Sequence, residues 1–385
     1  MPSPVFYISG HGFGHASREV EVINTFGARR PDAAIFVRSA VSPELLQRTL
    51  RVPYTLLPGR CDTGVVQTSS VAHDDEATMR EAIAFYESAD ARIAEEAARL
   101  PPAIDLVVGD IPPIAFEVAG RRGIPSVAIG NFTWDWIYEG YAGLTDRAPW
   151  LVPVIQRGYR QATLALELPF AGGFDVFPDV RRIPLVARHA SRRPEDTRGH
   201  FGLPPGRRAA LVSFGGYGMP DLDLAALDCL GSWTIVTTDR SAGRPGPRPA
   251  GVVRVDERAF LGTGFRYEDL VAAVDVVVTK PGYGITAECI TGDTAMLYTS
   301  RGAFREYDLL VREMPRYLRT RFISQPDLFA GRWGEALDAL VRQPPAPEHL
   351  PADGAAVAAE VMLELLAPGP AEHERRRDVA QDEPS

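Results

Sequence analysis

The chain has 385 residues, of which 45% are hydrophobic and 24% charged, and its formal net charge at pH 7 is -9. This length exceeds what one hydrophobic core usually supports, and the acidic balance disfavours a nucleic-acid partner, which would require a basic face. Three widely spaced cysteines, Cys61, Cys229 and Cys289, indicate neither a metal knuckle nor a disulfide framework. Because the sequence carries no recognisable secretion signal or membrane span, we expect a cytoplasmic protein of two domains.

The N-terminal segment predicts a strand, a glycine-rich loop and a helix. Residues 5–9 are apolar, Gly10-His11-Gly12-Phe13-Gly14-His15 follows, and residues 16–26 continue with helical spacing. Glycines such as Gly14 let the backbone approach a ligand closely at the carboxyl end of the strand. The spacing matches a dinucleotide-binding loop only formally, because the next predicted strand ends in Arg38 instead of an acidic residue, which disfavours NAD.

Two histidines flank this loop. A histidine at the start of such a helix is well placed to act as general base toward a hydroxyl in the crevice, so His15 and His11 are candidate catalytic residues. The alternative for either ring is a hydrogen bond that caps the helix. Predicted parallel strands bring Asp110 and Asp135 to the same edge of the sheet. Both are candidates to orient the base, and the sequence does not choose between them.

An aromatic segment follows the strand predicted over 124–129. It has the sequence Asn131-Phe132-Thr133-Trp134-Asp135-Trp136, which suits stacking against a sugar ring or another small acceptor. The candidate acceptor-binding residues are therefore Asn131, Phe132, Trp134 and Trp136. The alternative is core packing between the domains. The first domain is predicted to span 1–168, and the Pro-, Gly- and Asp-rich stretch 169–200 to be a linker.

A second α/β series predicts a C-terminal domain over 201–350. Its first strand leads into Gly215-Gly216-Tyr217-Gly218 before a helix. Gly215, Gly216 and Gly218 are candidate contacts to a diphosphate at that helix N-terminus, with a plain tight turn as the alternative. A final helix is predicted over 351–367, and the charged, apolar-poor residues 368–385 are predicted to be disordered.

Another candidate anion site follows the β-branched run 276–279. The only lysine of the chain, Lys280, stands there at the end of a predicted strand, before a helix. Thr286 is expected to cap that helix or lie in its first turn, with Glu288 within about one turn of its start. The strand predicted over 295–299 delivers further charged residues to the same edge. The candidate donor-binding residues here are Lys280, Gly282, Gly284, Thr286, Glu288, Arg301, Arg305 and Glu306.

These motifs resemble the GT-B glycosyltransferases, in which two Rossmann-like doubly wound α/β domains face a central cleft. The three stretches 10–15, 131–135 and 280–284 look like the glycosyltransferase-like N-terminal domain of plant L-arabinokinases. The resemblance covers most of residues 5–340. It implies that His15, preceded by Gly14, is the base of an inverting enzyme, that Glu288 holds the donor ribose, and that Glu306 contacts the donor sugar. The phosphate-binding stretch of the arabinokinase sugar-kinase domain is not found, so kinase activity is not implied.

The resulting hypothesis is an inverting glycosyltransferase that moves a sugar from a nucleotide diphosphate sugar, a UDP-sugar by resemblance, to a small-molecule acceptor. It requires no metal and no cofactor beyond the co-substrate, because helix N-termini and Lys280 or an arginine absorb the leaving-group charge. It involves no nucleic acid and leaves a homodimer open. The alternatives are a UDP-sugar epimerase or hydrolase of the same fold, and a nucleotide-sugar-binding module without turnover.

Overall fold

The computed structural model describes residues 1–215, 218–219, 222, 224–238, 249–256, 260, 262–302 and 304–367. Its strands are β1 (Pro4–Ile8), β2 (Phe36–Ser39), β3 (Thr55–Pro58), β4 (Gln67–Ser69), β5 (Ala72–His73), β6 (Leu106–Asp110), β7 (Ser126–Phe132), β8 (Leu164–Gly172), β9 (Val180–Arg182), β10 (Arg208–Ser213), β11 (Trp233–Thr238), β12 (Val252–Val255), β13 (Val276–Thr279), β14 (Ala295–Tyr298) and β15 (Thr320–Phe322). Its α-helices are α1 (Gly12–Arg29), α2 (Pro43–Thr49), α3 (Asp75–Tyr86), α4 (Ala89–Arg99), α5 (Pro113–Arg122), α6 (Trp134–Tyr138), α7 (Leu144–Arg147), α8 (Leu151–Tyr159), α9 (Pro194–His200), α10 (Tyr267–Ala272), α11 (Tyr283–Thr291), α12 (Arg305–Glu313), α13 (Gln325–Phe329), α14 (Gly334–Val341) and α15 (Gly354–Leu366).

The first domain is built on a parallel seven-stranded sheet in the order β3-β2-β1-β6-β7-β8-β9. Strands β1 and β6 are buried along their whole length and almost entirely apolar, as expected for strands covered by helices on both faces. The chain runs outward from β1 to β3 and then crosses back to β6, so the strand order reverses between β1 and β6. Ligands of open α/β sheets bind at such a reversal, outside the carboxyl ends of the strands.

The second domain repeats this plan with a parallel six-stranded sheet in the order β12-β11-β10-β13-β14-β15. Strand β13, with the sequence Val-Val-Val-Thr, is fully buried at the centre. The order reverses between β10 and β13, and these two strands lead into the loops that carry Gly215 and Lys280. Apolar clusters lie on both faces of each sheet. The predicted class, two Rossmann-like doubly wound domains, is confirmed.

The C-terminal helix α15 belongs to the outer layer of the first domain. Ala358 and Met362 share an apolar cluster with Ile23 and Phe26 of α1, and all four side chains are fully buried. The chain therefore passes through the second domain and returns to close the core of the first. Within the described ranges, no helix is long and apolar enough to cross a membrane.

The stretch 169–200, predicted as a linker, contains secondary structure. Strand β8 runs on to Gly172, β9 adds an edge to the first sheet, and α9 packs against α10 of the second domain. The three side chains of β9 are exposed, so no alternation of polar and apolar residues marks it in the sequence. Only sheet pairing across the fold makes this short segment a strand.

Residues 59–71 include β4, which pairs with β5 in an antiparallel hairpin. The hairpin reaches the second domain, where the Ser70 hydroxyl donates to the Gly218 carbonyl and Val71 joins the apolar cluster containing Phe214. Two consecutive helices, α3 and α4, follow the hairpin. The predicted disordered tail, 368–385, lies outside the described residues.

Candidate active site

A cleft of about 890 Å³ lies between the carboxyl ends of the two sheets. The predicted site residues on its walls are His11, Gly14, His15, Asn131, Phe132, Gly215, Lys280, Gly282, Gly284, Glu288, Arg301 and Glu306. The two domains come close at its base, since a Cβ added to Gly284 would lie 2.8 Å from the Ser17 hydroxyl and 3.6 Å from the Gly14 Cα. The glycine at position 284 therefore permits the helix N-termini of α1 and α11 to meet.

His15 and Asp110 form a buried pair at this base. Ile8 of β1 is in register with Asp110 at the end of β6, and α1 starts just after β1, which brings the two side chains together. Nδ1 of His15 lies 2.8 Å from Oδ1 of Asp110. Burial opposes ionisation of Asp110, but the Arg18 charge and the hydrogen bonds from His15 and Arg18 outweigh it and hold the pKa of this carboxyl below its ordinary value.

The ionised state of Asp110 determines the tautomer of His15. A carboxylate only accepts hydrogen bonds, so Nδ1 of His15 carries a proton, and in the neutral ring Nε2 keeps its lone pair. His15 lines the cleft, and no described residue hydrogen-bonds to its Nε2. The ring is thus arranged as a proton acceptor that faces the cleft, and Asp110 is the one of the two candidate carboxylates that supports it.

Sequence reasoning missed Arg18, which lies one turn after His15 on the same helix. Its Nε donates to Oδ2 of Asp110 at 2.8 Å, and its Nη1 donates to Oδ1 of Asn131 at 2.7 Å. Asn131 in turn donates from Nδ2 to Oε1 of Glu306, across the domain boundary, at 2.9 Å. A buried chain of hydrogen bonds therefore connects the carboxylate behind His15 to the second domain. The i, i+3 spacing of His15 and Arg18 was the signal available in the sequence.

His11 does not cap α1 with its side chain. Its Nδ1 accepts a hydrogen bond from the backbone N–H of Val65 at 3.1 Å. Burial above all, together with the nearby Arg301 charge, lowers the pKa of His11 well below its ordinary value, so the ring is neutral. In a neutral ring whose Nδ1 is an acceptor, Nε2 carries the proton. The two histidines therefore have opposite tautomers, and His11 is a hydrogen-bond donor and not a second base.

The aromatic segment only partly faces the cleft. Phe132 and Asn131 line it, but Trp134 lies behind the wall, fully buried, with its indole N–H donating to Asp62 at 2.9 Å. Trp136 packs beneath the Arg305 guanidinium, 4.5 Å from its ring centroid to Cζ, away from the cleft. The prediction of Trp134 and Trp136 as acceptor contacts is therefore corrected, because helix α6 turns these rings into the core and the domain boundary.

Asp135 is also corrected as a candidate catalytic carboxylate. Its Oδ2 accepts from Gln156 Nε2 at 3.1 Å, and it neither lines the cleft nor bonds to His15. Burial raises the pKa of Asp135 above its ordinary value. The reason for the difference from Asp110 is position, since Asp135 lies in α6, beyond the end of β7, and Asp110 is the last residue of β6 itself.

Lys280 stands where β13 meets α11. Its Nζ donates to Oε1 of Gln67, in strand β4 of the other domain, at 3.1 Å. Burial, and then the charge of Arg301, lower the pKa of Lys280 to about 7. Gly282 is the residue before α11, with no side-chain cap, so the first N–H groups of the helix face the same space. A cation and a helix N-terminus thus meet here.

Two other predicted residues of this loop region have distinct surroundings. Glu288 lines the cleft, and its Oε1 accepts from Nε of Arg188, a residue of the predicted linker, at 2.8 Å. Burial raises the pKa of Glu288 despite the nearby Arg188 charge. Thr286 lies in the first turn of α11, one of its two predicted positions, but it is fully buried and does not line the cleft. It is corrected as a donor contact because its side chain faces the core.

The segment after β14 contributes Arg301 and Glu306 to the cleft, and not Arg305. Arg301 Nη1 donates to Oε2 of Glu306 at 3.3 Å and to the Pro281 carbonyl at 3.1 Å. Arg305 instead donates to the carbonyl of Trp136. Its prediction as a donor contact is corrected, because the start of α12 turns it toward the first domain.

The glycine loop after β10 only partly fits its prediction. Gly215 has φ +67° and lines the cleft, so it provides a turn that glycine favours. Gly218 does not line the cleft, because its N–H bonds to the Gly215 carbonyl and its own carbonyl accepts from Ser70. It is corrected as a phosphate contact, and Gly216 lies outside the described residues. Across the part of the chain that is described, no group of three or more His, Cys, Asp or Glu side chains could hold a metal ion.

No family model matches the chain. The sequence is 26% identical over 367 residues to L-arabinokinase of Arabidopsis thaliana, an alignment that covers 93% of this chain and 34% of that protein. The chain thus spans about a third of the length of this curated relative.

Solved glycosyltransferases are similar in structure along almost the whole chain. The calicheamicin glycosyltransferase CalG4 is 15% identical, with a TM-score of 0.56 and full coverage of both chains, 100% of each. UGT2 of Phytolacca americana, solved with UDP-2-fluoro-glucose and pterostilbene, is 14% identical, with a TM-score of 0.57 over 95% of this chain and 94% of that one. UGT89C1 of Arabidopsis thaliana, solved with UDP, is 15% identical, with a TM-score of 0.54 over 95% of this chain and 100% of that one. The chain therefore has the GT-B fold, with two Rossmann-like domains that face a shared cleft.

Proposed function

We propose that the protein is an inverting, metal-independent glycosyltransferase that moves a sugar from a UDP-sugar to a small-molecule acceptor. The observation that carries the proposal is the imidazole of His15, whose Nδ1 is bonded to buried Asp110 and whose Nε2 is open to the cleft. The GT-B fold supports a donor lobe and an acceptor lobe. The similarity to structures solved with UDP or a UDP-sugar supports the nucleotide.

The donor lies against the second domain. Its diphosphate occupies the N-terminus of α11, where backbone N–H groups and Lys280 meet its negative charge, and Gly215 approaches it from the next loop. Glu288 holds the ribose hydroxyls, and Glu306 contacts the transferred sugar. This arrangement directs the anomeric carbon toward the first domain, because α1 and α11 meet at the base of the cleft.

The acceptor lies beside Asn131 and Phe132, with its hydroxyl at Nε2 of His15. Nε2 takes the hydroxyl proton while the oxygen attacks the anomeric carbon, and the bond from that carbon to the diphosphate oxygen breaks on the opposite side. UDP leaves with the electron pair, and the configuration inverts. Asp110 stabilises the imidazolium that forms, and Lys280 with the helix N-terminus stabilises the charge on UDP, so this scheme requires no metal.

The experiment is to incubate the protein with a panel of UDP-sugars and simple acceptor alcohols and to follow UDP release. His15→Ala should lower the rate by roughly 10²- to 10⁴-fold, the usual contribution of a general base. The matched control is His189→Ala, an exposed histidine that does not line the cleft and bonds to the Ala352 carbonyl, and this variant should keep the wild-type rate.

The outcomes separate the three functions. UDP release that depends on an acceptor, together with loss in His15→Ala, supports glycosyl transfer. Release without any acceptor indicates a hydrolase, and a changed sugar without release of UDP indicates an epimerase. A donor that binds and is never consumed under any of these conditions would reject catalysis and leave a binding module.

A further inference from the structure

Hydrogen-bond donors that described residues do not saturate line the cleft between Lys280 and His15. Arg301 lines the cleft, and no described residue accepts a hydrogen bond from its Nη2, whereas its bonds to Pro281 and Glu306 both leave from Nη1. His11 carries its proton on Nε2, because Nδ1 accepts from Val65, and no described residue bonds to Nε2. Lys280 Nζ is bonded to the neutral amide oxygen of Gln67 at 3.1 Å. Each group can still donate to a ligand.

Two of these donors, Arg301 and His11, lie against one aromatic ring. Cζ of Arg301 lies 4.3 Å from the centroid of the Phe304 ring, and the His11 ring lies 6.1 Å from the same centroid. The Phe132 ring, on the acceptor side, is 6.0 Å away. Phe304 therefore forms the floor between the two lobes, where the transferred sugar lies in the proposed function, and Arg301 and His11 flank that floor.

Each acceptor oxygen on this wall already takes one hydrogen bond. Oε1 of Glu306 takes a hydrogen bond from Asn131 at 2.9 Å, and Oε2 takes one from Arg301 at 3.3 Å. Oδ1 of Asn131 takes one from Arg18 at 2.7 Å. Sugar hydroxyls donate as well as accept, whereas the unsaturated groups of Lys280, Arg301 and His11 only donate. A carboxylate only accepts, and its bonds to charged donors are stronger than neutral ones.

We infer that Arg301 and His11 bind a second anionic group of the substrate, separate from the donor diphosphate, namely a carboxylate on the transferred sugar. The preferred donor is then a nucleotide diphosphate uronic acid. This inference rests on the proposed function and deepens it by naming the substrate class. A carboxylate on the acceptor has the same chemistry, and the experiment distinguishes the two sources.

The experiment is calorimetric titration of the wild-type protein with UDP, UDP-glucose, UDP-glucuronate and UDP-galacturonate. A bond from a buried charged donor predicts that a uronate binds at least about tenfold more tightly than UDP-glucose. Arg301→Gln should abolish that preference, measured as the ratio of uronate to UDP-glucose affinity, so that any change in UDP binding through Lys280 or Pro281 cancels. The matched control, Arg305→Gln, changes an arginine of the same segment that contacts Trp136 outside the cleft, and it should keep the preference. His11→Phe removes the other donor, and it is the variant to titrate if Arg301→Gln does not fold; it should likewise lower the preference for the uronates.

If the uronates are not preferred over UDP-glucose, free glucuronate is titrated into the UDP-saturated protein. Binding that depends on Arg301 supports the anion site and assigns the carboxylate to the acceptor. Equal affinity for all UDP-sugars together with no glucuronate binding overturns the inference and leaves the proposed function standing. If no UDP ligand binds at all, the proposed function fails and the inference fails with it.

Discussion

Replacing Asp110 with asparagine tests the central pair of the site. The carboxylate accepts from Nδ1 of His15 at 2.8 Å and from Nε of Arg18 at 2.8 Å, and it is fully buried. An asparagine there can turn its amide N–H toward Nδ1, which would move the ring proton to Nε2. His15 would then present a donor to the cleft in place of a base. We expect Asp110→Asn to lower turnover on the order of 10²- to 10⁴-fold with little change in UDP affinity.

The same change has a stability cost that can be worked from the contacts. Arg18 would keep its bond to Asn131 but lose its only charged hydrogen-bond partner among the described residues, and breaking a buried ion pair costs about 3–5 kcal/mol. Because the pKa of Asp110 is below its ordinary value in the folded protein, its stabilisation is present above the unfolded-state pKa and lost as pH falls through the folded-state pKa. The stability difference from wild type should therefore shrink at acidic pH.

Two measurements and one control check this reasoning. Turnover is followed by UDP release, and the free energy of unfolding is obtained from urea titrations at neutral and acidic pH. The control is Asp135→Asn, which changes a buried carboxylate that bonds to Gln156 and not to His15, and it should keep turnover within about twofold. Near-wild-type turnover of Asp110→Asn, or an equal loss in Asp135→Asn, would refute the assigned role.

Three further predictions concern the rest of the site. Burial, and then the charge of Arg301, lower the pKa of Lys280 to about 7, so UDP affinity should weaken as pH rises above that value. Lys280→Met should remove this pH dependence. A wild-type UDP affinity that does not change in calorimetry between about pH 6 and 9 would contradict the prediction. Glu288→Gln should weaken UDP binding about tenfold before it affects turnover, and an unchanged UDP affinity would mean that the ribose assignment is wrong. Arg18→Met leaves the Asp110 charge unpaired and should lower the free energy of unfolding by about 3–5 kcal/mol at neutral pH, measured in urea against Arg305→Met as control.

Parts of the site that follow directly from local pattern could be predicted from the sequence. The apolar runs before His15, Asp110 and Lys280 mark buried parallel strands, and parallel strands deliver their carboxyl ends to one edge whatever the details of packing. The glycines after β1 and β13 mark close backbone approach. The fold class and the two loops that face each other across the cleft are therefore visible in the sequence alone.

Residues whose role depends on the direction of a side chain could not be assigned in this way. Trp134, Trp136 and Arg305 lie close to site residues in sequence, but α6 and α12 turn them away from the cleft. Conversely, Arg188 comes from a stretch without periodicity, and it reaches Glu288 only because the chain crosses between the domains there. Sequence spacing does not determine which face of a short helix meets the other domain.

The sequence by itself determined two parallel α/β domains, each with a glycine-bearing loop at its carboxyl edge, because hydrophobic period and glycine placement are local properties. Only the tertiary structure decided that Asp110 and not Asp135 supports His15. It also decided that His11 and His15 adopt opposite tautomers, because each tautomer depends on the partner that the fold brings to Nδ1. Those partners, Asp110 and Val65, lie 95 and 54 residues away in the chain, and only packing of the folded domain brings them to the rings.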